Sequence, residues 1–137
     1  MRPRIVLANG CFDPFHYGHL LHLQAAKKLG DILVVSVTKD EFVNKGERRP
    51  VLPDWKRAAI VASLRCVDAT LIVNSSFHAL GMVEPDTFVI GSDYLDRIDE
   101  KDRIFCDAFG IEIAFTDEET HSSTELLRYY DSQSRSR

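Results

Sequence analysis

Most of the chemistry legible in this chain lies in ten consecutive residues, Gly10-Cys11-Phe12-Asp13-Pro14-Phe15-His16-Tyr17-Gly18-His19. They follow an apolar run, Ile5-Val6-Leu7-Ala8, and precede a helix-like stretch, Leu20 to Leu29. Two imidazoles thus flank a glycine where a strand hands over to a helix. Amides at a helix start point outward and the macrodipole favours negative charge, so such a junction suits phosphate. His16 and His19 lie three apart, which lets both face one phosphate cluster. Gly18 between them leaves room for close backbone approach. A helix N-terminus lowers a histidine's pKa, yet a neutral imidazole still donates one hydrogen bond. The chemistry this pair suits is gripping phosphate oxygens and stabilising charge that builds on them. A zinc site from His16, His19 and His22 is disfavoured: no Glu lies in an HExxH arrangement, and His22 is expected on the helix surface. Phe12 is expected either to wall a pocket or to enter the core. Asp13 is expected to hold the turn, with help in placing magnesium as the alternative. Cys11 is explained by its small size and is not expected to attack anything.

Three further stretches could border a ligand. Ser122-x-x-Glu125 is a capping box that opens a final helix, with Leu126, Leu127 and Tyr130 packing inward, and a capped helix end is also an anion site. The stretch Asn44 to Pro53 is a basic loop broken by glycine and proline, with Lys45, Arg48 and Arg49; Arg57 follows early on the next helix. Gly91-Ser92-Asp93-Tyr94 comes after the fourth apolar run, where main-chain groups beyond a strand end can read a base edge.

The elements that must hold these residues alternate. Apolar, β-branched runs at Ile5-Ala8, Ile32-Val37, Thr70-Val73, Phe88-Ile90 and Ile111-Phe115 read as strands. Helical patterns lie at Leu20-Leu29, Trp55-Leu64, Lys101-Phe109 and Thr124-Tyr130. Continuous rather than alternating apolar strands suit a parallel sheet covered on both faces. Gly30-Asp31 stops the first helix, Asp54 is a fair N-cap for the second, and Glu84-Pro85-Asp86 forces a turn. The expected fold is α/β: a single Rossmann-like, doubly wound domain of about five parallel strands flanked by helices, over residues 1–130. Residues 131–137 form a polar tail expected to fray.

Composition narrows the function. A chain of 137 residues with 45% apolar and 28% charged residues is an ordinary single globular domain. A formal charge of -4 argues against general nucleic-acid binding, so a polyanionic ligand must be met by local positive groups. Cys11, Cys66 and Cys106 form neither a disulfide framework nor a CxxC pair, and reduced thiols are expected. No apolar stretch reaches membrane-spanning length, and Met1-Arg2-Pro3-Arg4 runs straight into a strand without the spacing of a secretory signal. A cytoplasmic location is therefore expected. There is no GxGxxG after the first strand and no GxxxxGK[ST], which excludes an ordinary dinucleotide dehydrogenase and a P-loop ATPase.

The pattern Gly10-Cys11-Phe12-Asp13-x-x-His16-x-Gly18-His19 resembles the signature of the cytidylyltransferase-like nucleotidyltransferases. More narrowly, the Asn9-Gly-Cys-Phe-Asp opening, Lys45-Gly46, Arg49-Pro50, the Arg65-Cys66-Val67-Asp68 run and Gly91-Ser92-Asp93-Tyr94 resemble the heptose-1-phosphate adenylyltransferase branch. Glycerol-3-phosphate cytidylyltransferases share similar landmarks. The likeness runs from about Ile5 to Tyr130. It implies an enzyme that joins a nucleoside triphosphate to a phosphorylated small molecule and releases pyrophosphate. The acceptor phosphate, already an anion, attacks the α-phosphorus in line, so no general base and no Ser-His-Asp or Cys-His arrangement is needed.

By the same resemblance, His16, His19 and Lys45 are the catalytic candidates. Gly10, Cys11, Phe12, Tyr17, Gly18, Arg57, Gly91, Asp93, Ser122, Ser123 and Thr124 are the nucleotide-binding ones. Lys45 and Arg57 fall where the family places phosphate-binding cations, and a mobile lysine loop would close over the triphosphate. Mg2+ would accompany the triphosphate, its protein ligands unassigned, and a homodimer is implied. Asp117 and Thr120 stand where cytidylyltransferase relatives usually carry arginine and glycine, so ATP is favoured over CTP. Ile90 stands where heptose-type enzymes carry lysine, which suggests a different acceptor or a different way of holding it. A glycerol-3-phosphate-type cytidylyltransferase and a flavin-adenylating enzyme are the alternatives within this group. A non-catalytic nucleotide-binding regulatory module is the alternative outside it.

Overall fold

The computed structural model of the protein describes residues 2–91 and 98–116. Five strands alternate with helices: β1 (Ile5–Gly10), α1 (Tyr17–Lys27), β2 (Ile32–Thr38), α2 (Asp54–Ala62), β3 (Ala69–Val73), α3 (Ser76–Val83), β4 (Thr87–Gly91), α4 (Glu100–Phe109) and β5 (Glu112–Thr116). A short 3-10 turn, Asp40–Phe42, follows β2. All strand pairs are parallel, in the order β3-β2-β1-β4-β5.

The three central strands β1, β2 and β4 have the two-sided burial that their pattern predicts, whereas the edge strands β3 and β5 leave Ile72 and Phe115 exposed. Along β1, Val6 and Ala8 face one way and Leu7 the other, as the two-residue strand period requires. Val6 and Ala8 join Leu33, Val35, Val37 and Val89 against Leu23 and Ala26 of α1 and Val61 of α2. Leu7 joins Val34, Val73 and Phe88 against Ala79 and Leu80 of α3 and Cys106 of α4. The helices therefore lie in pairs on opposite faces. Gly30 permits the tight return from α1 to β2: a Cβ there would sit 2.6 Å from Val6 Cγ2 and 2.8 Å from the Arg4 carbonyl oxygen.

Strand order reverses between β1 and β4, and this is what positions the site. The β1–β4 ladder ends at Ala8–Val89. Both strands run on, but each is then paired only on its outer side: Asn9 and Gly10 with β2, Ile90 and Gly91 with β5. A crevice therefore opens at the carboxyl ends of β1 and β4, the switch point where open α/β sheets take ligands.

Some expectations are corrected. Helix α3 was not legible: its eight residues are apolar on most sides and include Gly81, which masks a helical period. Its one sharp signal is Ser75, whose side chain accepts from the His78 amide as an N-cap. α1 begins at Tyr17 rather than Leu20. Asp54 is the first residue of α2 and Pro53 its N-cap; the Asp54 carboxylate instead accepts from the Asp40 amide at 3.2 Å. The helix expected at Thr124-Tyr130 and the tail 131–137 lie outside the described residues.

Candidate active site

The turn after β1 is built on an inward aromatic ring. Phe12 adopts a left-handed backbone (φ 53) and buries its side chain. The ring folds back over Gly10, where a Cβ would meet two of its atoms at 3.0 Å. This fixes Phe12 in the core rather than on an open wall. There it stands edge-on to the His19 imidazole, centroids 5.0 Å apart, with Phe15 5.4 Å from the same imidazole.

His16 and His19 come together at the start of α1. His16 is the N-cap, in extended conformation (φ -139, ψ 176). Its backbone N–H donates to His19 Nδ1 at 3.2 Å, and the two rings stack with centroids 3.8 Å apart and planes 20° apart. An Nδ1 that accepts a hydrogen bond leaves the proton of a neutral imidazole on Nε2. Burial first, then the charges of His16, Lys45 and His22, push the His19 pKa down to about 3. His19 is therefore neutral at physiological pH, with Nε2–H as its donor. Gly18 is buried and Tyr17 is exposed on the first turn. Lys45 is exposed in the loop after β2, yet its charge reaches His19.

Two buried arginines brace this entrance from below. Asp13 is fully buried and accepts from Arg49 Nε at 2.9 Å and from the Val51 and Leu52 amides at 2.8 and 3.0 Å. Burial alone would raise its pKa, but the Leu52 and Val51 amides and the Arg49 guanidinium outweigh it and hold the carboxyl below the usual range. Asp13 thus fills the turn role. Arg57 corrects an expectation: rather than an open phosphate cation, it is a fully buried brace. Its Nε donates to the Leu52 carbonyl (2.9 Å), one Nη to the Cys11 carbonyl (2.8 Å) and the other to Asp40 Oδ1 (2.7 Å). The signal for this was its spacing from Val61, which shares the buried stripe of α2.

Sequence reasoning also missed several rim residues. Ser36 Oγ donates to Asn9 Oδ1 at 2.7 Å, and Thr38 Oγ1 to the Gly10 carbonyl at 3.4 Å, so the β1 and β2 ends are tied where the crevice opens. His22 is not a surface residue: it is half-buried, and its Nδ1 shares a 2.7 Å hydrogen bond with Thr116 Oγ1 at the end of β5. Gly91 closes β4 beside Thr116. Asp93, Ser122, Ser123 and Thr124 lie outside the described residues. Cys11 and Cys66 are half-buried free thiols, while burial and then Asp102 push the buried Cys106 thiol up to about 11. Among the described residues no three His, Cys, Asp or Glu side chains gather as a metal site, and no helix is long and apolar enough to cross a membrane.

A strand-to-helix junction, a stacked imidazole pair with one neutral donor and a nearby lysine thus lie together at the crevice of the switch point, a combination chemically suited to an anion. The profile of the family described as cytidylyltransferase-like matches residues 7–128. A "Bifunctional protein HldE" from Nitratiruptor sp. is 45% identical over 95 residues, which cover 66% of this chain and 21% of that protein. A protein of the same name from Campylobacter jejuni subsp. doylei is 40% identical over 99 residues, covering 69% of this chain and 22% of that protein. The chain thus spans about a fifth of the length of these curated relatives. Among solved structures, a lipopolysaccharide core biosynthesis protein from Thermoplasma volcanium superposes with a TM-score of 0.74 at 28% identity, over 87% of this chain and 100% of that one. A pantoate-beta-alanine ligase from Francisella tularensis shares the fold, with a TM-score of 0.63 at 16% identity over 91% of this chain and 65% of that one.

Proposed function

This chain belongs to the cytidylyltransferase-like family of nucleotidyltransferases, and from that premise we propose that it transfers a nucleoside monophosphate from a nucleoside triphosphate to a sugar or polyol phosphate. An acceptor phosphate oxygen forms a new bond to the α-phosphorus. The bond from that phosphorus to the bridging oxygen breaks, and pyrophosphate leaves with the electron pair. The nucleophile is an anion at neutral pH, so no residue has to take a proton from it. What the protein supplies is position and charge stabilisation.

The observation that carries this reading is the stacked His16–His19 pair, with His19 held neutral at the helix entrance. A neutral Nε2–H donor fits a phosphate oxygen that gains charge in the transition state. Lys45, on its exposed loop, supplies a cation to the departing phosphates. Ser122, Ser123 and Thr124 receive the outer phosphates, and Gly91 and Asp93 border the base. Arg57 serves through the loops it braces. Mg2+ would be held by the triphosphate's own oxygens and water, where it would offset their charge, because the Asp13 carboxylate is committed to the turn. ATP is the proposed donor, on the Asn-Gly-Cys-Phe-Asp opening and on Asp117 and Thr120. The lipopolysaccharide-core role in the Thermoplasma volcanium protein's name supports a sugar acceptor. A cytoplasmic homodimer is part of the same proposal.

The test is a matrix of the four nucleoside triphosphates with magnesium against sugar, polyol and amino-alcohol phosphates, read by pyrophosphate release. Acceptor-dependent release with ATP and a sugar or polyol phosphate is expected. Release with CTP and glycerol 3-phosphate alone would select the cytidylyl alternative. Triphosphate binding without release for any pair would select the non-catalytic module.

A further inference from the structure

His22 lies outside the family signature, one helical turn beyond His19, yet it makes a side-chain hydrogen bond that crosses the crevice. α1 hangs from β1 through the Gly10–His16 turn, whereas Thr116 ends β5 beside Gly91 of β4. Between these two halves the sheet itself supplies no pairing beyond Ala8–Val89. The 2.7 Å hydrogen bond between His22 Nδ1 and Thr116 Oγ1 joins α1 to the far half above that gap. Thr116 is buried and His22 half-buried, so water competes poorly for the bond. Ser122 to Thr124 follow Thr116 by only six to eight residues in the sequence.

We propose that His22 is a positioning residue: with Thr116 it forms a clasp across the switch point that sets the width of the nucleotide crevice. The inference rests on the nucleotidyltransferase reading. It assigns to His22 an effect on triphosphate affinity, exerted through α1 and β5 rather than by reaction with substrate. Its partner lies 94 residues away in the chain, which is why the motif itself does not reveal it.

The experiment compares wild type, His22→Ala, Thr116→Val, the double variant and His22→Asn, whose carboxamide can replace Nδ1 at similar reach. Each is measured for Mg-ATP binding by calorimetry, for KM and kcat in the pyrophosphate assay, and for melting temperature. His22→Ala and Thr116→Val are each expected to weaken Mg-ATP binding and raise its KM about tenfold, with kcat within about twofold of wild type. The double variant should be no worse than either single one, and His22→Asn should recover most of the affinity. Unchanged affinity in folded His22→Ala, or additive losses in the double variant, would overturn the clasp while the activity stands. A kcat loss with unchanged affinity would also overturn it. If His22→Ala does not fold, Thr116→Val and His22→Asn decide the question by the same affinity readout. Wild-type protein that binds no nucleoside triphosphate would overturn the enzymatic reading and this inference together.

Discussion

At the scale of single residues, the site turns on one proton. His19 Nδ1 accepts from the His16 amide, its ring is walled by Phe12 and Phe15, and cationic neighbours oppose protonation. These effects lock one tautomer, so Nε2–H remains a donor whatever the pH between about 5 and 8. Replacing His16 or His19 by Ala should lower kcat roughly a hundredfold or more, the scale of losing one charge-stabilising donor. Steady-state pyrophosphate release measures it, and near wild-type turnover in either variant would reject their roles. Cys11 gives only its carbonyl to the brace, accepting from Arg57. Cys11→Ser should keep turnover close to wild type, and a folded but inactive Cys11→Ser protein would reopen thiol chemistry.

At the scale of elements, the signature turn is held by two arginines from later in the chain. Arg49 and Asp13 are a buried ion pair, with side chains 6% and 0% exposed. The amides of Val51 and Leu52 complete the carboxylate's shell, so the basic loop is stitched to the turn just beyond its exposed Lys45. Removing one partner strands a buried charge. Arg49→Ala should destabilise the fold by about 3–5 kcal/mol in urea unfolding. Adding Asp13→Asn to that variant should recover part of the loss, because a neutral amide costs less to bury. An Arg49→Ala protein as stable as wild type would show that the pair does not hold the loop. Arg57 plays the parallel part for α2, tying it to the Cys11 carbonyl and to Asp40 in the 3-10 turn after β2.

At the scale of the whole molecule, the same burial makes stability depend on pH. A neutral His19 in the fold means that only the unfolded chain takes a proton below about 6.5. Its contribution is fully present above that value and is lost progressively as pH falls towards about 3, at no more than about 1.4 kcal/mol per pH unit. Asp13, with its carboxyl held low, adds a further loss only below the ordinary carboxylate value. Asp102 runs the other way: burial raises its carboxyl pKa, so what it contributes is present in acid and lost as pH rises through its folded value. The wild-type protein should therefore lose stability between pH 7 and 5, and His19→Gln should flatten that slope. Chemical denaturation at both pH values tests this, and an identical acid slope in His19→Gln would assign the loss elsewhere.

Strand number, sheet class and the strand-to-helix junction that brings His16 and His19 together were all readable in the chain. Each is written locally: apolar runs of strand length, Gly30 at a tight return, and a motif where one periodicity gives way to another. Tertiary structure alone decided which polar side chains turn inward. Arg57 read as a phosphate-binding cation, Arg49 as part of a basic loop and His22 as a helix-surface residue, because a local pattern records residue type and spacing but not a partner. Their partners, Cys11 and Asp40, Asp13, and Thr116, lie 17 to 94 residues away. A charge can be buried only where such a partner meets it, and that meeting is set by the winding of the sheet.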